Sequence, residues 1–439
     1  MVATSILVLS VITTPCRATW VADFDSGVGG VVEAMVEYDG SLYAGGQFDS
    51  SPDSPVAFVS RWTDLDWEIV GVSLEAAGGV DDFVYDLAVY EGDLYVAGRF
   101  HYINSQEFNH IAKYDGTNWS SLDGGMNGDV IALAVYNGEL YAGGVFTTAG
   151  EVSAHYIAKW NGASWSSVGD GLNERVWIME VFDGKLYAGG VFTLAGNNPA
   201  ERVASWDGTE WAPLGSGVDN YVHSMTVWND QLVVGGRFTT AGENPAGRTA
   251  LWDGGGWTPM GTLNDRPYSL HTYRGKVVAG GQFTIADGLP MSHVARWNGA
   301  GWEAMESGID GPVSELITLG DDLIVGGRFS SASGLPAANI VRWVESPSDV
   351  GDSWTFGTAM VAYPNPVVSG ALRLALPQAS QGDGRLALFD VSGRTATVRD
   401  FSAGEAIEVD TSDLPAGVYS VVWSRVAQTP IVTKVVVTR

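Results

Sequence analysis

Residues 139–150 read ELYAGGVFTTAG, and residues 185–196 read KLYAGGVFTLAG. The phrase Gly-Gly-x-Phe recurs along the chain, with its Phe at Phe48, Phe100, Phe146, Phe192, Phe238, Phe283 and Phe329. The steps are 52, 46, 46, 46, 45 and 46 residues, and only the second copy departs, with Ala97 in place of the first glycine. A second phrase, of the form IAKWNGASW, follows each of the first six Phe residues after a loop and ends on Trp67, Trp119, Trp165, Trp211, Trp257 or Trp302. A period near 46 in a chain rich in Gly, aromatic and β-branched residues predicts propeller blades, each a four-stranded sheet.

One unit parses into four strands. DVIALAVY (129–136) is the first, Asn137-Gly138 a tight turn of the kind that closes hairpins, and ELYAGGVF the second. The loop TTAGEVSAH leads to the third strand, YIAKW; Asn161-Gly162 turns the chain into the fourth, SWSSVG. Paired glycines admit close backbone approach between neighbouring sheets, and the aromatics fill the wedges between them. The last unit supplies PVSELITL, DLIVGGRF and NIVRWV but no fourth strand, while the orphan TWVADFDSG near the N-terminus aligns with NWSSLDGG. Trp20 is therefore expected to pair beside Trp343 as the outer strand of the seventh blade, which hides a sheet edge.

The unit LYAGGVF…IAKWNGASWSSVG resembles a kelch-type repeat. It is also similar to the Gly-Gly-x-Phe-Thr repeats of bacterial surface propellers and of fungal cortical polarity-marker proteins. This resemblance covers about Trp20 to Val344 and implies a fold rather than a function. The expected architecture is all-β: a seven-bladed β-propeller over 19–345, a linker over 346–360, and a small Ig-like β-sandwich over 361–439.

The tail differs in charge. Residues 363–439 hold seven basic and seven acidic side chains, so the whole formal charge of −28 falls on residues 1–362. Alternating apolar residues between Gly and Pro predict an antiparallel sandwich there. Four motifs occur in order: Tyr363-Pro364-Asn365-Pro366, Asp390-Val391-Ser392-Gly393-Arg394, Leu414-Pro415-Ala416-Gly417-Val418-Tyr419, and a basic final strand. Together they resemble the C-terminal sorting domain of type IX secretion cargo, and a flagellar-hook-capping-type Ig domain shares similar motifs. The resemblance implies recognition by the type IX translocon, removal of the tail, and release or attachment at the outer surface of a Gram-negative-type bacterium.

The N-terminal end supports export. TSILVLSVITTPCRA has a short apolar run, then Pro15 and the small Ala18, and resembles a secretory signal peptide over 1–18, without the usual basic start. Cys16 is the only cysteine, so no internal disulfide can form. No other segment reaches the ~18 apolar residues of a membrane helix. Strong negative charge excludes a nucleic-acid partner, which needs clustered Lys and Arg, and a monomer is expected.

Chemistry-bearing patterns are sparse. Six histidines, His101, His110, His155, His223, His271 and His293, show no zinc-helix spacing. His223 and His271 fall on first strands, which line the central channel, but with opposite parity. The variable residue of Gly-Gly-x-Phe is Gln47, Arg99, Val145, Val191, Arg237, Gln282 and Arg328, so arginines recur where they could clamp a carboxylate. Asp81, Asn127, Asn173, Asp219, Asn264 and Asp310 precede the first strands; such residues cap turns, and a ring of them is a candidate for Ca²⁺. No other cofactor is implied. Long loops on a rigid ring place binding residues on one face. The expected rim is Gln47, Arg99, Arg237, Gln282 and Arg328 with Tyr102, Tyr156, Trp177 and Tyr221. No acid/base constellation is legible, so a non-enzymatic binding or adhesion protein for a glycan or protein is expected, with an extracellular carbohydrate-active hydrolase or lyase as the alternative.

Overall fold

The computed structural model describes residues 18–22, 24, 27–48, 56–63, 66–73 and 82–345, and C-terminally 361–363, 371–375, 384–390, 395–401, 407–410, 414, 417–424 and 431–437. The expected signal peptide, apart from Ala18, and the linker lie outside the described residues. The chain divides into two compact units, 1–347 and 348–439.

The first unit is a seven-bladed propeller. Blades 1 to 6 span 30–73, 83–121, 130–167, 176–213, 222–259 and 267–304, each an antiparallel four-stranded sheet with first strand innermost. Blade 7 takes Val313–Leu319, Asp322–Gly327 and Ile340–Val344 from its own unit and Thr19–Val21 as its outer strand. Trp20 pairs with Trp343, as the repeat count requires. No helix occurs among the described residues.

The repeat is legible because each of its residues answers a contact. On the outer edge, paired rings sit across the third and fourth strands, from Trp20–Trp343 at 4.7 Å to Trp297–Trp302 at 5.4 Å between centroids. The outer-strand indoles also stitch blade to blade. Trp165 Nε1 donates to the Leu122 carbonyl at 3.0 Å, Trp211 to Val168 at 3.0 Å and Trp257 to Leu214 at 2.9 Å. Trp20 closes the ring by donating to the Met305 carbonyl of blade 6 at 3.3 Å.

The two glycines serve different neighbours. A Cβ on the first would strike the next blade: 2.5 Å from Val84 Cγ1 for Gly45, 2.3 Å from Val313 Cγ1 for Gly280, and 2.5 Å from Val32 Cγ1 for Gly326, across the closure. A Cβ on the second would strike a carbonyl of its own first strand, 2.0 Å from Phe83 O for Gly98 and 2.1 Å from Asp129 O for Gly144. A side chain can turn aside and a paired carbonyl cannot, which fits Ala97 standing at a first-glycine position.

Two features depart from the sequence reading. The second strand of blade 3 ends at Gly144, before Phe146. The following loop is not irregular: in blades 2 to 7 it folds into a two-stranded hairpin, such as Thr148–Ala149 against Val152–Ser153. Ala149, Ala195, Ala241, Ala286 and Ala332 bridge from these hairpins to the preceding fourth-to-first connection, in fully buried positions.

The second unit has two antiparallel sheets, one of three strands (361–363, 371–375, 407–410) and one of four (395–401, 384–390, 417–424, 431–437). Alternate residues Leu386 and Leu388 are buried.

Candidate ligand-binding channel

Every first strand carries a β-bulge at the same place, between Val32 and Ala34 in blade 1 and between Val222 and Ser224 in blade 5. The bulged residues are Glu33, Tyr85, Ile131, Trp177, His223, Tyr268 and Ser314. A bulge leaves one residue unpaired and re-aims its side chain. All seven line one central cavity of about 900 Å³. The bulge also resets strand alternation, so the parity argument for His223 and His271 fails at this point. His223 lines the cavity, while His271 is bonded through Nε2 to Thr318 Oγ1 at 2.7 Å.

The wall is asymmetric. On blades 4 to 6 it is aromatic: the His223 ring meets Trp177 edge-on at 4.2 Å and Tyr268 at 6.2 Å. Burial, with the Arg266 and Arg237 charges, pulls His223 down to about 4, so the imidazole is neutral at neutral pH. Its Nε2 and the Trp177 Nε1 are buried without hydrogen-bond partners. On blades 7, 1 and 2 the wall is acidic. Burial pushes Glu33 and Asp86 up to about 7. Glu315, which lines the same cavity, is raised by burial and further by the charges of Asp86 and Glu33. Asp86 accepts from the Leu87 and Leu133 amides, both at 2.7 Å, which ties blade 2 to blade 3.

The mouth lies on the long-loop face. Gln47, Arg99, Arg328 and Trp177 of the expected rim line the cavity. Arg99 donates to Asp129 Oδ2 at 2.9 Å. His110 Nδ1 lies 3.5 Å from Asp129 Oδ1, and the His101 and His110 rings are 4.7 Å apart, so two histidines far from any recognisable spacing meet here. Gln282 accepts from the Tyr268 hydroxyl at 2.9 Å and thereby holds a cavity residue. Arg237 and Tyr221 are joined by a backbone bond at 2.8 Å and do not line the cavity. Tyr102 is on the short hairpin of blade 2, and Tyr156 lines a separate cleft of about 680 Å³. Tyr156 occupies a left-handed position (φ 65°) shared with His110, Arg202, Arg248, His293 and Asn339, so its place follows from the backbone turn before the third strand.

The described members of the Asn and Asp ring are each turned onto backbone amides of their own blade. Asn173 Oδ1 accepts from the Thr193 and Leu194 amides, both at 2.9 Å, and Asp219 accepts from Thr239 at 2.7 Å and Thr240 at 2.9 Å. Asn127, Asn264 and Asp310 cap their own blades in the same way; Asp81 lies outside the described residues. No cluster of three metal-ligating side chains occurs among the described residues.

In the C-terminal unit, Asp390 pairs with Tyr419, Gly417 with Val437 and Tyr363 with Arg373. Pro364, Asn365, Pro366, Gly393 and Arg394 lie outside the described residues. The family described as the secretion system C-terminal sorting domain matches residues 361–438. This segment is a sorting domain. The sorting domain marks the chain for type IX secretion and attachment at the cell surface. No helix among the described residues is long and apolar enough to cross a membrane. No curated protein matches the chain. Among solved structures, the extracellular domain of a hybrid two-component system from B. thetaiotaomicron is similar at 9% identity and a TM-score of 0.38, over 93% of this chain and 68% of that one.

Proposed function

We propose that the protein is a surface-displayed, non-enzymatic binding propeller that takes a glycan into the mouth of its central channel. One observation carries the reading: all seven bulged residues face a single cavity, with the Trp177, His223 and Tyr268 rings opposite the Glu33, Asp86 and Glu315 carboxyls. Saccharides present apolar ring faces to aromatic side chains and hydroxyl edges to carboxyls. The volume falls within the ~300–1,000 Å³ of small-ligand sites.

A glycan array probed with the purified chain tests this. Binding is expected, and Trp177→Ala and Tyr268→Ala should each weaken it about tenfold, equivalent to ~1.4 kcal/mol. Binding unchanged in both variants would remove the channel as the site. An extracellular hydrolase or lyase is the second reading, favoured by three carboxyls held above their ordinary range at one cavity. Product release from an array hit, abolished in Asp86→Asn, would establish it over the first.

A further inference from the structure

The two walls of the cavity differ in what they leave unsatisfied. No Lys or Arg pairs with Glu33, Asp86 or Glu315 among the described ion pairs. The cavity arginines sit nearer the mouth: Arg99 is turned onto Asp129, Arg175 lies 3.3 Å from Glu174, and Arg328, in the same column as Arg99, is joined through its amide to the Pro312 carbonyl at 2.9 Å. Register places Arg99 opposite Phe83, two residues toward the mouth from the bulged Tyr85. Across from the acids, His223 is only 7% exposed and its Nε2 has no partner. The lower first-strand residues Glu180, Thr226 and His271 do not line the cavity, whose deepest lining residues, Leu133 and Met179, stand one strand position below Asp86 and Glu315. A ligand entering from the mouth therefore meets that end of the cavity with its tip.

We propose that the channel recognises the free-amine end of a glycan, inserted tip-first, with the ammonium among Glu33, Asp86 and Glu315 and the sugar ring against Trp177, His223 and Tyr268. The inference rests on the glycan reading above and adds the chemical class of the bound unit. Three carboxyls on one wall with no protein cation paired to them make that wall negative, and an ammonium offsets that charge. An aromatic wall accepts a cation's flank as well as a sugar face. A carboxylate or sulfate at the tip would instead meet like charge. N-acetylation removes the charge while leaving the ring intact, so it separates the two contributions.

Titration calorimetry on the full chain at 0.15 M salt, with fully deacetylated chitobiose and with N,N′-diacetylchitobiose, tests the proposal. The diamine should bind at least about tenfold more tightly, at a stoichiometry near one. Glu33→Gln and Glu315→Gln should each reduce that preference severalfold. A single charge removed from a chain of net −28 cannot do so through general attraction. The melting temperature of each variant shows that the fold is retained. Equal or tighter binding of the acetylated sugar, or an unaltered preference in both variants, overturns the amine proposal while the glycan reading stands. Failure of either sugar to bind, together with an empty array, overturns both.

Discussion

The seam between blades and the wall of the channel are built from the same strands under different constraints. At the seam, position after position repeats: Trp to a neighbour's carbonyl, first glycine to a neighbour's Val or Pro, buried Ala to a bridging connection. At the bulge, one backbone geometry recurs seven times and carries Glu, Tyr, Ile, Trp, His, Tyr and Ser in turn. Packing explains the repeating positions. It asks nothing specific of a side chain aimed into a water-accessible cavity, so variation there is free to follow a ligand.

Substitutions can break this contrast. Trp20→Ala and Trp165→Ala remove buried rings with stitching hydrogen bonds, and each should cost about 3–5 kcal/mol in urea unfolding. Trp177→Ala, at the cavity, should cost less than half as much. If Trp177→Ala proves as damaging as Trp165→Ala, the wall is structural after all. Within the glycine pair, Gly190→Ala meets the Arg175 carbonyl at 2.2 Å and should cost about 3 kcal/mol, whereas Gly189→Ala meets the Val222 methyl at 2.5 Å and should cost about 1 kcal/mol. Equal effects would show that the two glycines are not distinct. Asn173→Ala frees two amides of an exposed loop and should cost about 1 kcal/mol.

The smallest effect is pH-dependent. Burial raises the Glu33 carboxyl to about 7 in the folded chain, so its contribution to stability is full below the ordinary carboxylate range and is lost as pH rises toward 7. Glu33→Gln should therefore gain in melting temperature relative to the parent from pH 5 to pH 8. His223 and His271, both lowered by burial, titrate alike in the two proteins and cancel in the difference. A constant difference across that range would mean that Glu33 is not buried against the channel.

Legibility followed the same division. Blade number, strand order and the Trp20 closure could be read because each rests on residues that must recur. The bulge could not be read, since it is set by register between strands, and without it Glu33, Asp86, His223 and Tyr268 look like ordinary strand residues. Aligning the seven first strands on the valine or proline before each bulge would have brought the bulged column into view. The rim expectation placed Gln47, Arg99, Arg328 and Trp177 at the cavity because the Gly-Gly-x-Phe column and the bulge column share one end of the sheet. Tyr102 is carried elsewhere by the blade 2 hairpin, and Tyr156 by the left-handed turn before its third strand.

Blade 7 has a temporal consequence. Its outer strand leaves the ribosome first and its inner three last, so Trp20 waits for a partner 323 positions away (Trp343) while six blades accumulate. The torus is an open crescent for most of its synthesis, and its final latch belongs to the slow, long-range class of contacts. A circular permutant that carries Thr19–Val21 directly after Val344 should close sooner, with the same blades and the same wall.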